Sequence, residues 1–200
     1  MFNKKYRAAF ITLLLLLLSL FLTSGTRAVK TKTFSWRLGL QHFLPPSDFV
    51  SFSEPVQAKT GELFRFIIIP DADCYCYIVA ESDDVEGAQV LFSGVLKKDE
   101  RWASGLFMLV DPPGSDYFYI VTSLERQITL EKGITELEKD PSVFQSRKVL
   151  DEIKSIMGTI KKFTEKPAAL SAQYRLGYDY DMGVGFSGSD LYVKTIVINH

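Results

Sequence analysis

The chain has 200 residues, of which 46% are hydrophobic, and its formal net charge is −1. This hydrophobic content excludes an intrinsically disordered protein, and the slightly acidic balance excludes a protein that attracts nucleic acid through excess positive charge. The length suits one domain, with or without a helical appendage.

The first 25 residues have the order typical of a secretory signal peptide. Lys4, Lys5 and Arg7 precede an apolar run over residues 8–22, and small residues follow up to Gly25. This order predicts export, and the run is shorter than the roughly 20 residues that a membrane-spanning helix needs. We therefore predict a cleaved leader and a periplasmic or secreted protein. The alternative is an uncleaved inner-membrane anchor, in which case the leader alone would contact the membrane.

Eight stretches of the remaining chain predict β-strands. They are short and rich in apolar, aromatic or β-branched residues, and several alternate apolar and polar positions. A proline-rich connector over residues 41–59 separates the first two, and turns containing glycine, proline or aspartate separate most of the others. In chain order the stretches are 34–40, 63–69, 74–80, 88–92, 106–110, 117–122, 173–180 and 191–199.

One long helix is predicted near residues 141–163. Asp140 can cap the free amides of a helix, and Pro141 is tolerated at the first helical position. Apolar residues then recur at helical spacing, and Pro167 stops any continuation. The predicted stripe consists of Val143, Leu150, Ile153, Met157 and Ile160.

Together these elements predict a mainly β protein. Short antiparallel connections favour a β-sandwich, immunoglobulin-like or related, with the helix packed outside it. We expect the leader over 1–25, a strand and the proline-rich connector over 26–59, and the sandwich with its helix over 60–200. A glycine-rich loop over residues 183–188 would join the last two strands.

Three groups of residues resemble the bacterial domain-of-unknown-function family 4384, over residues 60–125 or so. The resemblance implies a β-rich, non-catalytic module of the kind that accompanies caspase-like peptidase, kinase or envelope domains in longer chains, and it implies no functional residues. Ser93 departs from the family, which tends to place proline there. The groups are Gly61 to Phe66 with Asp73 to Ile78, Val90-Leu91-Phe92 after the turn at Gly87, and Asp111-Pro112-Pro113-Gly114 with Tyr119 to Ser123.

Cys74 and Cys76 are the first candidate site. On one strand they point to the same face with Cα atoms about 6.5 Å apart, which is the upper edge of disulfide geometry. Three interpretations stay open: small core residues, a strained or redox-active disulfide, and a metal site. Zinc would need two further ligands, and His42 and His200 are the only histidines in the chain.

Asp179, Asp181 and Asp190 are the second candidate site. Asp179 and Asp181 match the first and third positions of a calcium-binding loop. The template then fails, because Gly183 replaces an oxygen ligand and Val184 stands where the turn glycine belongs. A glycine-rich hairpin loop accounts for the stretch better than a metal site does.

No catalytic motif appears among the remaining residues, and no cofactor is predicted. The sequence therefore predicts an exported, non-enzymatic module that binds another protein of the bacterial envelope. The alternatives are a redox or thiol enzyme that uses Cys74 and Cys76, and a calcium-stabilised ligand-binding domain. The candidate functional surfaces are the acidic turn 83–87, the loop 97–101 and the glycine-rich loop.

Overall fold

In a computed structural model of the chain, two β-sheets pack face to face and two helices cover one of them. The structure describes residues 32–43, 48–83, 86–170 and 182–200. The elements are β1 (Phe34–His42), β2 (Asp48–Val50), β3 (Val56–Gln57), β4 (Leu63–Pro70), β5 (Cys74–Ser82), β6 (Ala88–Leu96), β7 (Trp102–Ala103), β8 (Phe107–Met108), β9 (Ser115–Ser123), α1 (Ile128–Lys139), α2 (Val143–Thr159), β10 (Thr164–Ala169), β11 (Met182–Ser189) and β12 (Leu191–Asn199).

Sheet A has the strand order β10-β11-β1-β4-β7, with β2 paired to the end of β1 and β8 paired to the start of β4. All of its pairings are antiparallel. Strand β1 lies at the centre, between β11 and β4. The sequence placed this strand ahead of the sandwich domain, whereas its hydrogen bonds on both edges make it part of the sandwich.

Sheet B has the order β3-β12-β9-β5-β6. Its strands are antiparallel except for a two-residue parallel pairing of β3 with β12. Side chains alternate between its two faces, so Cys76, Ile78 and Ile120 point towards sheet A. Tyr77 and Val121 point the other way and pack against the helices. The prediction of a mainly β, antiparallel sandwich is confirmed.

The core between the sheets is strongly aromatic. Trp36 of β1 stacks on Phe186 of β11 with ring centroids 4.4 Å apart, and Tyr192 of β12 contacts Trp36 edge-on at 6.1 Å. All three side chains are almost completely buried. Burying a side chain of this size stabilises a fold by about 1.5–3 kcal/mol, so these rings account for much of the cohesion between the sheets.

The helix predicted near residues 141–163 is present as α2, which is a few residues shorter at its C-terminal end. The described residues include a second helix, α1, which was not predicted. Ser142, not Asp140, caps α2, because its side chain accepts a hydrogen bond from the Gln145 amide at 3.3 Å. The predicted stripe is also partly wrong: Ile156 is buried, whereas Met157 is 43% exposed.

The glycine-rich loop predicted over residues 183–188 is a strand instead, β11. Its glycines allow close contact with neighbouring backbone. A Cβ atom on Gly183 would lie 2.2 Å from the carbonyl oxygen of Leu38. Gly188 has φ +102°, at a bulge where the pairing with β1 shifts register. These glycines therefore reflect packing and backbone conformation within a sheet.

The described residues from Lys32 to His200 form one compact unit. Neither α1 nor α2 is long and apolar enough to cross a membrane, and the structure describes no other helix. The predicted signal peptide over 1–25 and the predicted strand over 173–180 lie outside the described residues.

Candidate functional site

The two cysteines lie on β5 as buried free thiols. Both face sheet A and pack in the core between the sheets. Burial raises the pKa of Cys74 to about 12 and raises the pKa of Cys76 well above its usual value. Because the thiolate is the reactive form, both side chains are poorly suited to nucleophilic chemistry in this fold.

The calcium-loop candidates are not brought together in the part of the chain that the structure describes. Asp179 and Asp181 lie outside the described residues, and Asp190 lies between β11 and β12. The Asp190 carbonyl accepts a hydrogen bond from the Leu124 amide at 3.0 Å, as part of the connection to β9. Among the described residues, no three His, Cys, Asp or Glu side chains are placed to hold a metal ion.

The loop 97–101, a predicted functional surface, is a hydrogen-bonded turn. Asp73 accepts a hydrogen bond from the Lys98 amide and another from the Lys97 ammonium group, both at 2.9 Å. These two contacts, the Lys98 amide first, lower the pKa of Asp73. Asp99 has φ 58°, and its amide donates to the Pro70 carbonyl at 2.8 Å. The Lys97 side chain and two backbone amides therefore connect this loop to Asp73 and Pro70.

The contacts of the two histidines indicate structural roles. His42 stacks on Phe64 with centroids 4.6 Å apart. His200 places Nε2 3.3 Å from a carboxylate oxygen of Asp116 and Nδ1 3.4 Å from the Thr60 hydroxyl. A hydroxyl, an imidazole and a carboxylate are also the groups of a catalytic triad. The arrangement here does not favour catalysis, because the imidazole is almost fully buried and the Thr60 contact is long. His200 also exchanges two backbone hydrogen bonds with Gly114, so it ties the end of β12 to the fold.

A cleft of about 410 Å³ opens at the start of β6, and we call it the end cleft. Its inner lining, Ala80, Leu91, Phe107 and Phe118, is continuous with the sandwich core. The outer lining comes from β8, the turn after it, the start of α2 and the acidic turn at Glu86. One of the three surfaces predicted from sequence therefore lines a cleft.

One wall of the end cleft exposes apolar side chains. Met108 and Val110 line it and are 54% and 56% exposed, and the nearby Leu106, outside the lining, is 51% exposed. They alternate with Phe107 and Leu109, which point into the core. The sequence predicted an apolar strand here, but its alternation in burial was not visible because every residue from 106 to 110 is apolar.

The rim of the end cleft is acidic. Four carboxylates line it, Glu81, Glu86, Asp111 and Asp116, and no lysine or arginine is among its described lining residues. Two of them are held in position, Glu81 by the Tyr119 hydroxyl at 2.8 Å and Asp116 by His200. Asp111 and Glu86 are exposed to solvent. The cleft therefore carries a negative potential beside its apolar wall.

A bulge in β6 shapes the end cleft. Ile78 pairs with Phe92 and Val79 pairs with Val90, which leaves Leu91 as the extra residue. Leu91 and Phe92 therefore both pack against the sandwich core. Phe92 contacts Trp102 at 4.5 Å, and Leu91 lines the cleft. No signal in the sequence marked this bulge.

A second cleft, of about 460 Å³, opens at the other end of β6, between sheet B and α1. We call it the helix-side cleft. Ser93, Gly94 and Val95 of β6 line it with Tyr75 and with the α1 side chains Glu131, Ile134, Thr135 and Glu138, together with Arg126. Val95 is 47% exposed there.

A hydrogen-bonded network positions the start of α1 beside this cleft. The Tyr77 hydroxyl donates to Glu131 at 2.7 Å and accepts from the Gln127 amide at 3.2 Å. Arg126 forms an ion pair with Glu131. Hydrogen bonds from Arg126, and then from Tyr77, lower the pKa of Glu131. The network anchors α1 to sheet B.

The substitution Glu131→Gln tests that network through its pH dependence. Because the folded-state pKa of Glu131 is lowered from 4.5, its stabilising contribution is present above that pH and is lost as the pH falls through the folded-state pKa. The variant should therefore melt below the wild type at pH 7, and the difference should shrink as the pH falls below 4.5 towards 3. The effect should be below about 1 kcal/mol, because Arg126 is largely exposed.

The control for this experiment is Glu138→Gln. Glu138 is exposed on the same helix and forms no ion pair among the described residues. Thermal unfolding followed by circular dichroism at both pH values compares the variants. If the melting temperatures of Glu131→Gln and the wild type differ by the same amount at pH 3 as at pH 7, the ionic role assigned to Glu131 is wrong.

No protein-family model, curated protein or solved structure matches this chain. The resemblance to family 4384 remains a prediction, and the two clefts beside β6 are interpreted from their own geometry.

Proposed function

We propose that this chain is a non-enzymatic module that binds an extended segment of a partner protein in the end cleft. The observation that supports it is the row of exposed apolar side chains, Leu106, Met108 and Val110, beside an acidic cleft. Apolar side chains grouped on a surface and bordered by polar residues are typical of interaction sites. Binding a partner would remove them from water.

The charges of the rim indicate the chemistry of the partner. Asp111 would attract a lysine or arginine, since the described lining residues include no cation that could neutralise it, whereas Glu86 already lies 4.0 Å from the Arg147 guanidinium. Long basic side chains also have apolar stems that can cover an apolar wall. The expected partner segment therefore combines basic and apolar residues.

The predicted leader indicates where that partner would be found. If residues 1–25 direct export, the module works outside the cytoplasm, and its partner is another protein of the bacterial envelope. The buried thiols and the scattered histidines make catalysis a weaker proposal than binding.

A randomised peptide library displayed on phage tests the proposal against the immobilised full chain. Selected peptides should alternate apolar residues with lysine or arginine. Fluorescence anisotropy with these peptides should show about tenfold weaker binding to Met108→Ser, since a central apolar contact contributes more than about 1 kcal/mol. Met157→Ser is the matched control, because Met157 is exposed on α2 and does not line the end cleft.

A second variant separates charge from apolar contact. Asp111→Asn should lower the affinity for basic peptides by a few-fold at low salt, and this loss of affinity should shrink as salt is added. The proposal is overturned if the library yields no binding peptide. It is also overturned if Met108→Ser and the wild type bind the selected peptides equally well.

A further inference from the structure

Strand β6 is an open edge of sheet B. Within the described part of the chain it pairs only with β5, and no other backbone hydrogen bond involves its residues. In an antiparallel strand, amide and carbonyl groups of alternate residues point to opposite edges. Along nine residues, Ala88–Leu96, the donors and acceptors at one edge of β6 therefore have no backbone partner in the described part of the chain.

This edge lacks the usual protection against pairing. Exposed edge strands commonly carry lysine, other charges or proline, which discourage another strand from joining them. The nine residues of β6, AQVLFSGVL, include no charged residue and no proline. The bulge at Leu91 is the single protective feature among its described residues, and it lies in the first half of the strand.

The two clefts lie beside this edge at opposite ends of β6. The end cleft lies beside Leu91, with residues of the sandwich core on one side of it and the start of α2 on the other. The helix-side cleft lies beside Val95, which pairs with Tyr75 on the face towards α1. A strand added along the whole of β6 would pass both clefts. Its side chains alternate between the two faces of the sheet, so some of them would enter each cleft.

We propose that the partner segment binds as an additional strand along β6 and extends sheet B. This inference rests on the proposed function and specifies its geometry. Backbone hydrogen bonds would provide much of the affinity, and the two clefts would select the side chains, as in other cases of strand addition. At about 3.3 Å per residue, nine residues of β6 could pair over roughly 30 Å.

The charges beside β6 favour a partner of different sequence over a second copy of this chain. Both clefts are lined by more acids than bases, with Glu131 and Glu138 against Arg126 in the helix-side cleft. Strand β6 has no basic side chain that could neutralise them. A segment with basic and apolar residues could pair with the acids of both clefts, whereas β6 of a second copy has no basic residue to do so.

N-methylation of the selected peptides tests strand addition on the unmodified full chain. Methylating an amide removes one hydrogen-bond donor, and in an added strand only every second amide pairs with β6. Methyl groups at one set of alternate positions should weaken binding about tenfold or more, and those at the intervening positions should have little effect. Equal tolerance at all positions would overturn the inference while leaving the proposed function intact.

Amide hydrogen exchange measured by NMR locates the added strand. Peptide binding should slow exchange at alternate amides of β6. Slowed exchange at β8 without any change at β6 would overturn the inference, because β8 is also at an edge of sheet A. A dimer that forms in sedimentation without peptide and protects β6 would also overturn it, in favour of a second copy. A library that yields no binding peptide would instead contradict the proposed function itself.

Discussion

Replacing Gly183 with alanine is expected to lower the free energy of unfolding by about 3 kcal/mol, at the upper end of the usual cost of inserting a methyl group into a packed site. The added Cβ would lie 2.2 Å from the Leu38 carbonyl oxygen. That atom belongs to the central strand β1, which is hydrogen-bonded on both edges. It cannot move without disturbing sheet A. Urea denaturation followed by fluorescence measures the loss.

Two other glycines provide matched controls for this substitution. A Cβ on Gly39 would also meet an atom at 2.2 Å, but that atom is the end of the flexible Leu170 side chain. Gly39→Ala should therefore cost less than Gly183→Ala. Gly158 of α2 has no atom near the Cβ position, so Gly158→Ala should stabilise the protein by up to about 1 kcal/mol. Equal effects at Gly39 and Gly183 would contradict the backbone explanation.

Tyr192→Phe is expected to destabilise the protein by about 2 kcal/mol through loss of a single hydroxyl group. Tyr192 is fully buried. Its hydroxyl donates to the Phe34 carbonyl and accepts from the Ser189 amide at 2.9 Å. Phe34 and Ser189 are Cα partners at the bulge between β1 and β11. The hydroxyl of a sheet B residue thus satisfies two buried backbone groups of sheet A.

Comparison with Tyr75→Phe isolates this effect. Tyr75 is half-buried and its hydroxyl forms no hydrogen bond to another described residue. The same loss of an oxygen atom should there change the unfolding free energy by less than about 0.5 kcal/mol. Midpoints of urea unfolding measure both variants. A Tyr192→Phe midpoint equal to that of the wild type would show that water can replace the hydroxyl.

The strands were largely predictable because their signals are local. Alternation from Phe34 to Leu40 and the β-branched run from Leu63 to Ile69 correspond to β1 and β4, with small differences in length. Each pattern reflects the two-residue period of a strand. The sandwich class followed from the number of such runs and the turns between them.

Helix α1 has a local sequence signal although it was not predicted. Leu130, Ile134 and Leu137 recur at spacings of four and three, and all are buried in α1. This pattern was available in the sequence. Gly133 weakens the prediction of a helix here, because glycine has a low helix propensity. In the structure a Cβ on Gly133 would lie 3.3 Å from a Val149 methyl group, so the glycine allows α1 and α2 to pack closely.

The candidate site depended on contacts between distant parts of the chain. Glu86, Met108 and Pro141 line the end cleft together, although more than 50 residues separate the first from the last. Nothing in their local sequence indicates that they meet. The acidic turn at Glu86 was predicted as a possible functional surface, but its apolar neighbours were not.

The sequence by itself determined the mainly β class, most strands and the core of helix α2, because these depend on local composition and periodicity. Export by the leader stays a prediction. The tertiary structure alone decided which strands form the edges, which face of sheet B the helices cover and where the bulge at Leu91 falls. These features arise from pairing between residues far apart, such as β12 with β9 and β1 with β11. Periodicity identifies a strand, but its neighbours are chosen by the free energy of the whole packed sheet.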